Sequence, residues 1–166
     1  GVDPSRLNEL YYDPTTGILW IGSYDMGLWK LLPNAPTAQS FNDGFSAQSQ
    51  EINEIVYKDG IFYIGTSDGI YKGDGNSAWQ TFGLQGSYVL SLEIVGDMLY
   101  AGIKEQSLNG ASGQAKGIWL RPLNAASNWL LDAPNTNNLE VNELLYVANG
   151  SCQALFAATD DGLWKY

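Results

Sequence analysis

Hydrophobic and polar positions alternate along nearly the whole chain, in short runs separated by Gly, Asn and Asp. A period of two marks half-buried strands, because successive side chains on a strand point to opposite faces. The runs fall into four similar sets. Residues 7–12, 52–57, 89–94 and 141–146 make the first strand of each set. Turns follow at 13–17, 58–60, 96–97 and 148–151, where Asp-Gly, Asn-Gly and Gly-Asp pairs tolerate positive φ. The second strand carries an aromatic and then a small residue: Trp20-Ile21-Gly22, Tyr63-Ile64-Gly65, Tyr100-Ala101-Gly102 and Phe156-Ala157-Ala158. The third starts at Gly, as Gly27-Leu28-Trp29-Lys30, Gly69-Ile70-Tyr71-Lys72, Gly117-Ile118-Trp119 and Gly162-Leu163-Trp164-Lys165. A fourth, outer strand is expected at 38–41, 78–82 and 128–131, and no segment carries a helical period.

Four strands per unit, recurring every 40–50 residues or so, is the spacing of propeller blades. The expected fold is an all-β β-propeller in one domain, 1–166, with blades near 5–49, 50–86, 87–136 and 137–166. Gly22, Gly65, Gly102 and Ala158 let neighbouring backbone come close. Trp20, Tyr63, Tyr100 and Phe156 then fill the space between blades with large apolar area.

The fourth set stops after its third strand, so the last blade lacks its outer strand. An open third strand leaves backbone groups unpaired, which invites association. Three arrangements fit this pattern. The chain closes as a four-bladed ring with a thin last blade, or it is part of a larger propeller. Alternatively a second copy, another segment or another chain completes the assembly. The start Gly1-Val2-Asp3-Pro4, without Met, is the start expected of a processed or excised segment whose targeting signal has been removed.

The stretch Gly69-Ile70-Tyr71-Lys72-Gly73-Asp74-Gly75-Asn76-Ser77-Ala78-Trp79 resembles the Asp-box repeat of sialidase-type propellers, with Asp74 and Trp79 five apart across a hairpin. The third set has Asn124 and Trp129 in these places, and the first has lost the box. The small-residue strand followed by Asp-Gly-apolar-aromatic is similar to the two-component-regulator propellers of bacterial sensors. It is similar also to blades of sortilin-like domains, photosystem-assembly factors and oligoxyloglucan-type hydrolases. What the resemblance implies for Asp74 and Trp79 is a hairpin staple; no catalytic residue comes with it.

Charge narrows the partners. With 18 acidic and 8 basic residues, no His and a net charge of −10, the chain has no phosphate-tracking surface for nucleic acid and no basic patch for anionic membranes. No apolar run is long enough to span a membrane as a helix. The single Cys152 forms no internal disulfide, lacks a His to activate it, and is expected to be a small buried residue. No zinc cluster, phosphate loop or Ser-His-Asp set is present, so no cofactor is expected.

Three groups of residues are candidates for binding. Asn8-Glu9, Asn53-Glu54 and Asn142-Glu143 recur at the start of the innermost strands, where equivalent residues face the central channel together. Pleating predicts that only one residue of each pair lines the channel, the other set serving inter-blade hydrogen bonds or solvent. The third set breaks the ring with Leu90-Ser91. The insertion 105–116 is the one large departure from the repeat, and Lys104, Glu105 and Lys116 supply its charge. Asp25, Asp68, Asp160 and Asp161 precede the third strands, but without the dense oxygen spacing of a calcium loop they are expected to stabilise turns. The expected function is a non-catalytic, exported binding or scaffolding module for a protein, glycan or small polar ligand. The alternatives are a sensor domain of a bacterial regulator and a glycoside hydrolase using two of Glu9, Glu54 and Glu143.

Overall fold

The computed structural model describes residues 3–106, 116–124, 126–132, 136, 138–150 and 152–166, with the backbone alone for Pro4, Glu105, Gln106 and Cys152. After a short 3-10 turn, Pro4–Arg6, the chain is built from antiparallel strands. Blade 1 comprises β1 (Leu7–Asp13), β2 (Ile18–Ser23), β3 (Leu28–Leu31) and β4 (Gln39–Ser40), paired in that order. Blade 2 comprises β5 (Ile52–Lys58), β6 (Ile61–Thr66), β7 (Gly69–Gly73) and β8 (Gln80–Gly83). Blade 3 comprises β9 (Ser87–Val95), β10 (Met98–Gln106), β11 (Gly117–Pro122) and β12 (Leu130–Asp132). Blade 4 is a three-stranded sheet of β13 (Val141–Asn149), β14 (Cys152–Thr159) and β15 (Gly162–Lys165).

Local chemistry sets the bounds. The β5–β6 hairpin turns on Asp59 and Gly60, both at positive φ, the conformation a two-residue primed turn requires. The outer strand β4 is shorter than the pattern predicts because Asn42 takes over from the ladder. Its Oδ1 accepts from the Leu28 backbone N–H at 2.7 Å, and its Nδ2 donates to the Met26 carbonyl at 3.0 Å. A hydroxyl after the small residue ties the β2–β3, β6–β7 and β14–β15 turns: Ser23, Thr66 and Thr159 donate to the carbonyls of Gly27, just before β3, and of Gly69 and Gly162, which open β7 and β15.

The blades pack through three hydrophobic clusters. The first joins blades 1 and 2 around Trp20, Leu28, Ile52, Ile55 and Trp79. The second joins blades 2 and 3 around Tyr63, Ile70, Phe82, Val89 and Leu92. The third joins blades 3 and 4 around Ile118, Val141, Leu144 and Leu155. Among the described residues no such cluster joins blade 4 back to blade 1, so the four blades form an arc with two free end faces. The small residues perform the service expected of them at each junction. A Cβ built on Gly22 lies 2.7 Å from Ile52 Cγ2, on Gly65 3.1 Å from Val89 Cγ1, and on Gly102 2.6 Å from Val141 Cγ1.

Candidate functional site

The innermost strands of all four blades converge on a cavity of about 450 Å³. Asn8, Glu9, Asn53, Glu54, Asn142 and Glu143 all line it, with Tyr24, Glu51, Tyr88, Leu90 and Lys104. Pleating alone predicts one of each Asn-Glu pair in the channel, and the structure corrects this. A register shift falls between Leu7 and Glu9 in β1, between Ile52 and Glu54 in β5, and between Val141 and Glu143 in β13. The extra residue of a bulge turns its side chain out of the alternation. The Asn is that extra residue in each case, so Asn and Glu reach the cavity together.

The asparagines also stitch the blades. Asn8 Nδ2 donates to the Ile52 carbonyl at 2.9 Å and to Asn53 Oδ1 at 3.0 Å. Asn53 Nδ2 donates to the Val89 carbonyl at 2.9 Å. In blade 3 the place belongs to Leu90, and other groups do the work: Ser91 Oγ accepts from the Leu144 N–H at 2.9 Å and Glu93 Oε2 from the Tyr146 N–H at 3.1 Å.

The carboxyls share one mouth. Burial, then the negative charges of Glu9 and Glu143, pushes Glu54 up to about 8. Glu9 is raised by burial and by Glu143, and Glu143, the most exposed of the three, by desolvation and Glu93. At neutral pH Glu54 therefore holds its proton and can donate a hydrogen bond. Lys104 is the one cation among the lining residues, with its Nζ 5.6 Å from the Tyr88 ring centre. Tyr88 in turn donates its hydroxyl to Glu51.

Lys104 joins the central cavity, but Lys116 lies apart from it and pairs with Glu140 at 2.6 Å. The Glu105 backbone pairs with Tyr88 as part of β10; its side chain, residues 107–115 and the Cys152 side chain lie outside the described residues. The turn aspartates bind the loops: Asp68 accepts from Gly86 N–H at 2.8 Å and from Ser46 Oγ at 3.1 Å, and Asp160 from Glu140 N–H at 3.0 Å. Among the described residues no group of three His, Cys, Asp or Glu is placed to hold a metal ion. Tyr24, Glu51 and Tyr88 are lining residues that the repeat pattern misses, because they sit just outside the aligned strands. A second cavity of about 400 Å³ lies between blades 2 and 3 beside Asp74, lined by Tyr63, Lys72 and Gln80. It draws on two blades only, whereas the central mouth gathers equivalent residues from all four.

The chain matches no family model and no curated protein sequence. Its structural likenesses are to propellers. The computationally designed Ika4 protein superposes with a TM-score of 0.70 at 16% identity, over 99% of this chain and 92% of that one. The fold is a β-propeller. The extracellular domain of the putative one component system BT4673 from B. thetaiotaomicron superposes at 0.69 and 20% identity, over 97% of this chain and 20% of that one. An ancestral GH74 enzyme superposes at 0.67 and 14% identity, over 96% and 22%. The chain thus spans about a fifth of the length of these last two. No helix among the described residues is long and apolar enough to cross a membrane.

Proposed function

We propose that the chain is a non-catalytic binding module, working outside the cytoplasm, whose central mouth takes a small polar ligand bearing hydroxyl or ammonium groups. The observation that carries this reading is the convergence of Asn8, Asn53, Asn142, Glu9, Glu54 and Glu143 in one polar cavity. Concave sites with a few convergent polar groups are where small ligands bind. Protonated Glu54 offers one donor, the carboxyl oxygens of Glu9 and Glu143 and the asparagine amides offer acceptors, and Lys104 adds a donor on one side. The extracytoplasmic placement is supported by the likeness to the BT4673 extracellular domain.

Calorimetric titration with a panel of oligosaccharides and linear diamines tests the reading. Saturable binding that Glu54→Gln weakens at least tenfold is expected, with the ligand recovered unchanged. Absence of binding across the panel would sink it.

A second reading, glycoside hydrolysis, has one specific observation behind it. A carboxyl held protonated to about pH 8 beside other carboxylates is what a general acid needs. The GH74 likeness is in keeping with it. Against it, Glu9 and Glu143 are raised too, whereas the second carboxylate of such a pair must stay ionised. Reducing-sugar release from the same panel, abolished in Glu54→Gln, would move the conclusion to this reading.

A further inference from the structure

The two ends of the arc leave apolar side chains in solvent at positions that are buried in the other blades. At the first position of the innermost strand Ile52, Val89 and Val141 are each 0% exposed, while Leu7 is 37% exposed. Three positions on, Ile55, Leu92 and Leu144 are at most 3% exposed, but Leu10 is 57% exposed. The opposite face of each blade behaves alike. Leu28, Ile70 and Ile118, which open the third strands towards the next blade, are 0% exposed, and Leu163 is 74% exposed. Leu145 and Val147 lie on the same open face of blade 4, and Tyr12 on that of blade 1. Contiguous exposed apolar surface of this kind marks an interaction site.

Two details fit these faces to each other and not to blades in general. At every internal junction a glycine faces a β-branched residue: Gly22 with Ile52, Gly65 with Val89, Gly102 with Val141. In each pair the nearest obstacle to a Cβ is a γ-carbon of that β-branched side chain. Blade 4 carries Ala158 at the glycine position, and blade 1 carries Leu7 at the β-branched one. Leu has a single γ-carbon, which can turn away and leave room for the Ala158 methyl. Moreover, Asn142 is exposed at the place from which Asn8 and Asn53 donate to the carbonyl of the next blade's first residue. On a docked blade 1 that acceptor is the Leu7 carbonyl.

We propose that a second copy of this chain seats its blade 1 on blade 4, and its blade 4 on blade 1, so that two copies close a ring of eight blades. Each copy carries one face of each kind, and a twofold assembly covers both at once. The net charge of −10 per copy opposes the approach, so added salt strengthens the pair.

Light scattering and sedimentation across a wide concentration range test this. The expected mass is twice 18.1 kDa. Leu163→Glu and Leu10→Glu each place a charge in both junctions, and each variant is expected to fold, by circular dichroism, and to fall to 18.1 kDa. Mixing the two variants leaves one junction intact, between blade 4 of the Leu10→Glu copy and blade 1 of the Leu163→Glu copy, and pairs are expected to return. Leu7→Ile is expected to weaken the pair, and Ala158→Gly added to it to restore it. A wild-type monomer, a mass beyond two copies, or a pair that survives both charge variants would overturn the proposal.

Discussion

Glu54 shows how one side chain couples the cavity to stability. Its carboxyl is raised from an ordinary value of 4.5 to about 8, by burial first and by the charges of Glu9 and Glu143 second. Between those values the folded chain holds a proton that the unfolded chain releases. Stability is therefore greatest below about pH 4.5 as far as Glu54 is concerned, and declines as pH rises through the window. Glu9 and Glu143 are displaced the same way and add to the decline. Asp13 and Asp74 are lowered by hydrogen bonds from Thr16 and from the backbone of Asn76 respectively; their contribution is lost only in acid, as pH falls through their folded values. Glu54→Gln is expected to flatten the loss of stability between about pH 5 and about pH 9, by an amount on the order of a few kcal/mol. Urea midpoints of both proteins at the two pH values decide this, and equal losses would clear Glu54 of the effect. A different residue tests the packing. Gly102→Ala sets a methyl 2.6 Å from Val141 Cγ1 and 3.2 Å from the Val141 carbonyl, and is expected to cost about 1–3 kcal/mol in the same assay.

Among the elements, the β7–β8 hairpin separates two roles that the Asp-box resemblance assigns together. Asp74 Oδ1 accepts from the N–H groups of Asn76 and Ser77 at 2.9 and 3.0 Å, an exposed turn. Trp79 is buried, donates its Nε1 to the Phe41 carbonyl at 2.9 Å and packs among Trp20, Phe41, Phe45 and Phe62. Trp79 thus fastens blade 2 to blade 1, and Trp129 repeats the device by donating to the Phe82 carbonyl at 3.1 Å. Trp79→Ala is expected to cost about 3–5 kcal/mol and Asp74→Ala about 1 kcal/mol, read from thermal or urea unfolding. Strand identity was legible here because the period of two and the Gly-bearing turns are local properties. The junction partners were not: that Gly22 meets Ile52, or that Trp79 reaches Phe41, depends on how blades stack. The Asn-Glu site was half legible. Its residue types repeat in the sequence, but the bulge that turns both members into the cavity is a cross-strand register effect without a residue signature. Tyr24, Glu51 and Tyr88 stand outside the repeat and carried no signal.

Across the described residues, stability is distributed along an arc in which each hydrophobic cluster joins neighbouring blades. Such arrays behave as a chain of local stabilities joined by interface terms. Among the described residues, blades 2 and 3 are packed on both faces, and their shared cluster holds ten buried residues. Among the described residues, blade 4 is packed on one face through a cluster of five, has three strands, and leaves Leu145, Val147 and Leu163 in solvent. Opening it forfeits one interface and no more. In the Leu163→Glu chain, native-state hydrogen exchange should therefore find the amides of β14 and β15 exchanging well before those of β6 and β7, through a partial opening and not through global unfolding. In the wild-type chain the same amides gain a second packed face whenever copies associate, so their protection should rise with protein concentration while that of β6 stays fixed. Uniform protection along the arc in the variant would mean that the blades unfold as one unit. Protection in β14 that ignores concentration in the wild type would mean that blade 4 remains uncovered.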